Sequence, residues 1–81
     1  MQLRQTLLDF AQRRGEAKTF CPSEVARALY PEDWRTHMDE VRAEAQRLAD
    51  AGRLRITQFG KPVHIDTVRG HIRLSIGKAH P

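Results

Sequence analysis

The chain has 81 residues, of which 40% are hydrophobic and 30% charged, and its 14 Lys and Arg against 10 Asp and Glu give a net charge of +4. This length fits one small domain, since chains divide into several domains only at much greater length. The hydrophobic fraction is too high for a disordered tail, and the single cysteine excludes a disulfide scaffold. With no apolar run of about 20 residues and no signal-peptide pattern, the sequence predicts a cytoplasmic protein without a membrane segment.

Two amphipathic helices are predicted in the first 30 residues. The first, at about 2–14, has apolar residues at helical spacing, and Gly15 follows it, as glycine commonly follows the last residue of a helix. The second, at about 22–30, begins with Pro22, which suits the first helical position because it lacks an N–H. Glu24 is placed to accept a hydrogen bond from an exposed N–H group of the first turn.

The third predicted helix, at about 32–51, carries the strongest periodic signal in the sequence. It follows Pro31 directly and is closed by Gly52. Its apolar stripe consists of Trp34, Met38, Val41, Ala45 and Leu48. We interpret Trp34 as an anchor of this stripe in the core rather than as a base-stacking residue. Because almost no chain separates the second and third helices, they are predicted to cross steeply, as in a helix-turn-helix.

After Gly52 the apolar period changes from 3.6 to 2 residues, which predicts two half-buried strands at about 54–58 and 72–76. The connection between them is turn-like, and a short strand at 63–65 is a further candidate. The sequence therefore predicts a single α+β domain over residues 1–81, mainly α. Its expected architecture is a winged helix-turn-helix, with three helices followed by a β-hairpin wing.

A series of short motifs accompanies this order of elements. They are Cys21-Pro22-Ser23-Glu24-Val25-Ala26-Arg27, Trp34-Arg35, Met38, Val41-Arg42, Ala45, Leu48-Ala49, Gly52, Ile56-Thr57-Gln58, Gly60 and Gly70-x-Ile72-Arg73-Leu74. Together the motifs cover nearly the whole chain and resemble an uncharacterised bacterial family of small winged-helix proteins, known only as a domain of unknown function. The resemblance implies the winged helix and no activity. His71 stands where the family pattern has a proline, a difference that concerns the stiffness of the wing.

The net charge is unevenly distributed along the chain. Residues 31–52 carry three basic and six acidic side chains, a net charge of −3, whereas residues 53–81 carry six basic and one acidic, a net charge of +5. The six cations of this last segment are Arg53, Arg55, Lys61, Arg69, Arg73 and Lys78. The predicted hairpin and wing are therefore the basic part of the domain.

This basic segment predicts nucleic-acid binding, with DNA as the favoured target and regulation as one use of it. Arg53, Arg55 and Arg73 are expected to share the outward face of the hairpin, where like charges on adjacent strands repel. Phosphates would relieve that repulsion, and the release of counterions would supply affinity. Lys61 and Arg69 in the wing are placed to contact the phosphate backbone or the minor groove.

The third helix gives a less uniform signal. Arg35 and Arg42 lie seven residues apart on one predicted stripe and are candidate groove contacts, but Glu32 and Asp33 in the first turn repel phosphates. One alternative is an exposed ladder in which Asp39 pairs with both arginines. In a second alternative, the acidic helix neutralises the basic hairpin within the molecule. Both stay open at the level of sequence.

The alternative function is a protein–protein interaction module that uses the acidic third helix or forms a homodimer. Winged helices serve in many roles, so fold does not decide between the two functions. The sequence contains no convergent catalytic set and no Gly-rich phosphate loop, and we therefore predict that the protein is not an enzyme.

Cysteine and histidine residues were considered for reactive or metal sites. Cys21 at a helix N-terminus could carry a reactive thiolate, but without a neighbouring His or second Cys, a buried structural cysteine beside Phe20 is favoured. The four histidines are His37, His64, His71 and His80. His64, Asp66 and His71 do not follow a standard metal-ligand spacing, so neither a metal nor another cofactor is predicted.

Overall fold

The computed structural model describes residues 2–77, so Lys78 and His80 lie outside the described residues. In chain order the elements are α1 (Gln2–Arg14), α2 (Pro22–Leu29), a 3-10 helix (Trp34–His37), α3 (Met38–Asp50), β1 (Leu54–Gln58), β2 (Lys61–Pro62) and β3 (Arg73–Ile76). About half of the described residues are helical, and the three strands form one antiparallel sheet. The predicted α+β class is confirmed.

The ends of the helices follow local signals in the sequence. The Cys21 backbone N–H donates to the Glu24 carboxylate at 2.8 Å, which satisfies one of the N–H groups exposed at the start of α2. Gly52 ends α3 with a φ of 76°, a left-handed conformation that glycine adopts without a steric penalty. Within residues 2–77, no helix combines the length and the hydropathy that crossing a membrane requires.

The third helix begins later than predicted. Instead of one helix over 32–51, the structure has a turn, the 3-10 helix, and α3 starting at Met38. Asp33 explains the delay, because its carboxylate and its carbonyl oxygen both accept hydrogen bonds from the Thr36 hydroxyl, at 2.7 and 2.9 Å. Such local side-chain bonds compete with the α-helical pattern. The predicted apolar stripe still packs inward, with Val41, Ala45 and Leu48 buried and the preceding Trp34 and Met38 half-buried against the core.

The sheet has the order β2-β1-β3. β1 and β3 are the two predicted strands, and they pair antiparallel from Leu54–Ile76 to Thr57–Arg73. The predicted short strand at 63–65 is wrong, since β2 is Lys61–Pro62. A two-residue turn at 59–60 reverses the chain at once, so pairing with β1 begins earlier than the apolar pattern indicates.

The core lies between the sheet and the three α-helices. Its buried apolar residues are Leu3, Leu7, Ala11, Phe20, Val25, Ala26, Val41, Ala45, Leu48, Leu54, Ile56, Ile72 and Leu74. Phe20, in the segment between α1 and α2, forms an isolated antiparallel bridge with Leu74 of β3, with backbone bonds of 2.8 and 2.7 Å. This bridge attaches the connection before α2 to the edge of the sheet that β2 leaves open.

Candidate nucleic-acid interface

The turn between β1 and β2 is built from Phe59 and Gly60. Both residues have positive φ, 52° and 80°, and the flanking residues Gln58 and Lys61 form the last pair of the ladder. Two central residues with positive φ are typical of the tight hairpin turn whose twist matches that of the strands. Glycine meets this requirement without strain, whereas phenylalanine rarely adopts it.

Gln58 connects this turn to the loop that precedes β3. Its side-chain amide donates to the Arg69 carbonyl at 2.6 Å and to the His71 carbonyl at 3.0 Å. On the other side of the loop, the Arg42 guanidinium of α3 approaches the Gly70 carbonyl at 3.5 Å. These contacts bring residues from α3, the turn and the loop to one end of the sheet.

We call Arg42, Phe59, Lys61 and Arg69 the turn-end cluster. Phe59, Lys61 and Arg69 are exposed, and Arg42 is half-buried. Three of the sequence-predicted contact residues are therefore brought together, although they are separated by up to 27 positions in the chain. The cluster combines three cations with one aromatic ring.

The other predicted cations of the hairpin lie at different places. Arg55 is exposed and pairs with Ser75, which puts it on the same face of the sheet as the Thr57–Arg73 pair, opposite the buried residues of β1. Arg53 lies just before β1, about 20 Å of extended strand from Phe59. It lines a cleft of about 230 Å³ against α1. Arg55 lies on the exposed face of the β1–β3 pair, whereas Arg53 lies at the end of β1 opposite the turn.

Arg73 is exposed but engaged within the molecule. Its guanidinium Nε donates to the Thr19 hydroxyl at 2.8 Å, Nη2 approaches the Thr19 carbonyl at 3.3 Å, and Nη1 lies 2.6 Å from the Cys21 sulfur. Thr19 and Cys21 flank the bridge residue Phe20. Arg73 therefore holds the bridge segment on β3, a role the sequence did not indicate.

Arg35 and Arg42 do not form the predicted single stripe. Arg35 belongs to the 3-10 helix, and its guanidinium carbon lies 4.4 Å from the centroid of the Trp34 ring. Because a 3-10 helix has three residues per turn, the seven-residue spacing does not carry from Arg35 into α3. The structure places Arg42 in the turn-end cluster and leaves Arg35 stacked on the tryptophan.

In the described part of the chain, the ion pairs that the two alternatives require are not formed. Between residues 2 and 77, Asp39 forms no ion pair with Arg35 or Arg42, so the proposed ladder is absent. In the same part of the chain, no acid of residues 31–52 pairs with a cation of residues 53–77. The cations of the hairpin are thus not neutralised by direct contacts with the acidic helix.

One acid of the third helix is instead buried against the first helix. Glu44 is 1% exposed, and its two carboxylate oxygens accept from Arg4 of α1 at 2.9 Å and from Arg47 at 2.7 Å. Both partners are charged, so these hydrogen bonds are of the stronger kind and offset the cost of burying the carboxylate. Glu44 contributes to the packing of α1 on α3.

Two further acids surround His37 at the start of α3. His37 contacts Glu40 through Nδ1 and lies 3.3 Å from Asp33 through Nε2, while its ring stacks on Tyr30 at a centroid distance of 3.6 Å. The hydrogen bond to Glu40 raises the pKa of His37 above its ordinary value; partial burial opposes this, and the charges of Glu40 and Asp33 add to it. This group is a charge network at the beginning of the third helix.

Cys21 was predicted to be a buried structural cysteine, but it is only half-buried, because it caps α2 at the surface beside Arg73. Glu24, which accepts from the Cys21 N–H, also binds Arg14 at 2.7 Å. Partial burial by itself raises the pKa of Glu24, but the Cys21 N–H and the charges of Arg14 and Arg73 outweigh it and lower the pKa below its usual range. Cys21 is therefore the N-cap residue of α2, and the ion pair between Glu24 and Arg14 stabilises this cap.

His64, Asp66 and His71, which do not follow a metal-ligand spacing in the sequence, do not converge in the structure either. His64 and Asp66 are neighbours, with the Asp66 N–H donating to His64 Nδ1 at 3.1 Å, but His71 is held to Gln58 through its carbonyl. Among residues 2–77, no three His, Cys, Asp or Glu side chains come together in a group that could hold a metal ion.

Two residues of interest were missed by sequence reasoning. Phe59 was interpreted only as part of a turn, although an aromatic residue directly before a glycine between two alternating runs is an unusual turn composition. Glu44 enters the sequence analysis only as one of the six acids of residues 31–52, although it stands three residues after Val41 and four before Leu48, on the apolar stripe. The unusual turn composition could have identified Phe59, and the helical spacing could have identified Glu44.

Comparison with known proteins gives one match to part of a larger protein and one to a family. A stretch of 52 residues is 40% identical to the replication factor C small subunit of Haloarcula marismortui; it covers 64% of this chain but spans only 16% of that protein's length. Residues 1–77 match the family described as "Protein of unknown function (DUF3253)". This match confirms the resemblance drawn from the sequence motifs and extends over nearly the whole chain, and the chain therefore belongs to this family of proteins of unknown function.

Proposed function

We propose that this protein is a winged-helix domain that binds DNA through the phosphate backbone. The contact surface is formed by the three cations of the turn-end cluster, Arg42, Lys61 and Arg69, together with Arg55. Such binding can serve a regulatory role. We propose no enzymatic activity for the domain.

The winged-helix assignment is supported by the order of the elements. The bridge between Phe20 and Leu74 stands where a short strand separates the first two helices, and β1 and β3 follow α3 as an antiparallel pair. In this arrangement the third helix and the wing lie on the same side of the domain. The contact between Arg42 of α3 and the Gly70 carbonyl is consistent with that placement.

The proposal rests chiefly on the unpaired cations of the turn-end cluster. Within residues 2–77, Arg42, Lys61 and Arg69 form no ion pair with a carboxylate, while Glu44 and Glu40 are engaged with other partners. Unpaired cations at one end of a sheet attract phosphates and release counterions on binding. The match to part of a replication factor subunit agrees with a role at nucleic acid.

Fluorescence anisotropy with a short labelled duplex over a salt series tests this proposal. Four cations on four phosphates predict a slope of about −3 to −4 for log K against log salt. We expect Lys61→Gln to reduce the steepness of this slope by about one. Lys18→Gln removes the same charge from an exposed position outside the cluster and should leave the slope unchanged.

Two outcomes would contradict DNA binding by this surface. The first is the absence of duplex binding by the unmodified protein at low salt. The second is a slope that Lys61→Gln and Lys18→Gln change equally, because charge would then act without a defined site.

The second candidate function is protein interaction through the acidic third helix, or self-association. Asp39 favours it, since this residue is exposed and, in the part of the chain that the structure describes, forms no ion pair. Asp39 lies three residues before Arg42, on the neighbouring part of α3. Substituting Asp39 is therefore expected to give different results for the two functions.

Asp39→Lys is expected to have opposite effects in the two cases. If DNA is the ligand, the new cation beside Arg42 strengthens duplex binding severalfold at low salt. If the acidic surface binds a protein or a second copy, the substitution abolishes the complex in a pull-down or the dimer in sedimentation velocity. Weaker duplex binding by Asp39→Lys would contradict the proposed orientation of α3.

A further inference from the structure

Phe59 is 95% exposed, and among residues 2–77 it is the large hydrophobic side chain that the core leaves fully at the surface. A single exposed apolar residue is common on protein surfaces and needs no explanation by itself. Phe59, however, stands at the tip of a two-residue turn, between the ends of β1 and β2. Its exposed ring therefore lies at the end of the sheet, where Lys61 begins β2 and Gln58, the residue before Phe59, binds the Arg69 carbonyl.

The backbone at this position disfavours phenylalanine. The φ of 52° lies in the left-handed region, where residues with a bulky side chain are rare, and turns of this kind are normally built from asparagine, aspartate or glycine. The ring also makes no compensating contact with the core, since it is almost fully exposed. Neither the turn geometry nor the core packing favours phenylalanine at this position, and an intermolecular contact of the ring fits both observations.

The surroundings of the ring indicate the chemistry of that contact. Cations within the same cluster fit phosphates, and an aromatic face fits the face of a base, and a nucleic acid offers both groups. Within an intact duplex, both faces of each internal base are covered by stacking. Separating two stacked pairs has an energetic cost that an unpaired base does not impose.

We infer that Phe59 stacks on an unstacked base and that the domain prefers DNA in which unpaired bases adjoin a duplex, an inference that rests on the proposed DNA binding. The cations of the turn-end cluster and Arg55 hold phosphates of the flanking duplex, while the ring at the tip covers the first unpaired base. A two-residue turn is narrow enough to follow the strand where the duplex ends. The cations thus provide the affinity for DNA, and Phe59 provides the preference for unpaired bases.

Two labelled probes test this inference: a blunt duplex, and the same duplex with a short single-stranded overhang. Stacking on one base predicts that the unmodified protein binds the overhang probe about 5- to 150-fold more tightly. Phe59→Asn removes the ring and places a residue that accepts positive φ, so the turn is retained. We expect this variant to lose the preference while its affinity for the blunt duplex and its salt slope stay unchanged.

Phe59→Tyr is the matched control, since it keeps the aromatic ring and should keep the preference. A direct readout of stacking is a 2-aminopurine at the first unpaired position of the overhang. Its fluorescence should change on binding of the unmodified protein and of Phe59→Tyr, and should not change with Phe59→Asn. This signal does not depend on the charge contacts.

The outcomes separate this inference from the proposed function. Equal binding of both probes by the unmodified protein, or an equal loss on both probes in Phe59→Asn, overturns the role of the ring and leaves duplex binding intact. The absence of binding to either probe at low salt overturns both. A dimer in sedimentation velocity that Phe59→Asn dissociates would instead assign the ring to a second copy of the chain and overturn the inference.

Discussion

Arg73 and Arg55 lie on the same face of the β1–β3 pair, but their guanidinium groups have different surroundings. Arg73 is held by Thr19 and by the sulfur of Cys21, whereas the side chain of Arg55 is exposed beside Ser75, its partner across the ladder. Like charges on neighbouring strands were expected to repel and to be relieved by phosphates. The structure instead engages the Arg73 guanidinium with the bridge segment, so the two arginines are not equivalent candidates for phosphate contacts.

Replacing Arg73 should therefore affect stability more than DNA binding. We expect Arg73→Gln to lower the free energy of unfolding by about 1–2 kcal/mol, since it removes side-chain hydrogen bonds that attach the Thr19–Cys21 segment. Arg55→Gln should change it by less than about 0.5 kcal/mol, as is usual at exposed positions. Urea denaturation followed by circular dichroism measures both values.

The salt slope of DNA binding provides the control for this pair of variants. Arg55→Gln should reduce its steepness by about one, whereas Arg73→Gln should leave it unchanged at a temperature where both variants are folded. Equal stability of the two variants, or a reduced slope in Arg73→Gln alone, would contradict the division of roles.

At the scale of single residues, the sequence identified the cations but not their partners. Arg42, Lys61 and Arg69 were all expected at a nucleic-acid interface, and the structure brings them to one end of the sheet. Their proximity depends on the side chain of Gln58, whose contacts with the loop carbonyls span 11 and 13 residues. No periodic pattern contains that information, because it arises from one long-range contact.

At the scale of elements, helix ends and strand pairing were predictable where a local residue decides them. Gly52 ends α3, and the alternating runs predicted to be strands at 54–58 and 72–76 form β1 and β3, with β3 starting one residue later than predicted. The start of the third helix was not predictable from periodicity, because Asp33 and Thr36 bond locally and leave the apolar spacing unchanged. Amphipathic spacing reports which face is buried, but it does not report whether the backbone is α-helical or 3-10.

β2 shows that apolar spacing is likewise not sufficient to place a short strand. The apolar residues of 63–65 indicated a strand, but the ladder is formed by Lys61 and Pro62, both exposed. Turn geometry decides where pairing resumes, and the Phe59–Gly60 turn brings the chain back immediately. After Val63, whose N–H still donates to the Ile56 carbonyl, the chain leaves the sheet, and the Ile65 N–H donates to the side chain of Gln46.

At the scale of the whole molecule, charges of opposite sign are arranged in separate regions. Two of the ion pairs within residues 2–77 join helices, α1 to α3 through Arg4 and Glu44, and α1 to α2 through Arg14 and Glu24. In this range none reaches the turn-end cluster. Glu44 and Glu24 therefore support the packing of the helices, while the three cations of the turn-end cluster form no ion pair in this range, as the proposed binding of an anionic ligand requires.

This arrangement makes the stability of the fold depend on pH in two windows. The pKa of His37 is raised, so the charged histidine stabilises the fold fully below about 6.5, the ordinary histidine pKa, and this contribution is lost as the pH rises through the higher folded value. The pKa of Glu24 is lowered, so its contribution is present above the ordinary glutamate pKa and is lost as the pH falls through the folded value. We expect the thermal midpoint to be highest between the two windows.

His37→Phe isolates the upper window, because it keeps a ring that can stack on Tyr30 and removes the titrating charge between Asp33 and Glu40. The unmodified protein should lose stability as the pH rises from slightly acidic to alkaline, and the variant should show a smaller loss over the same range. Both proteins should decline alike in acid, since Glu24 is unchanged. Thermal unfolding followed by circular dichroism across this pH range measures the difference, and equal losses in the upper window would show that His37 does not couple protonation to folding.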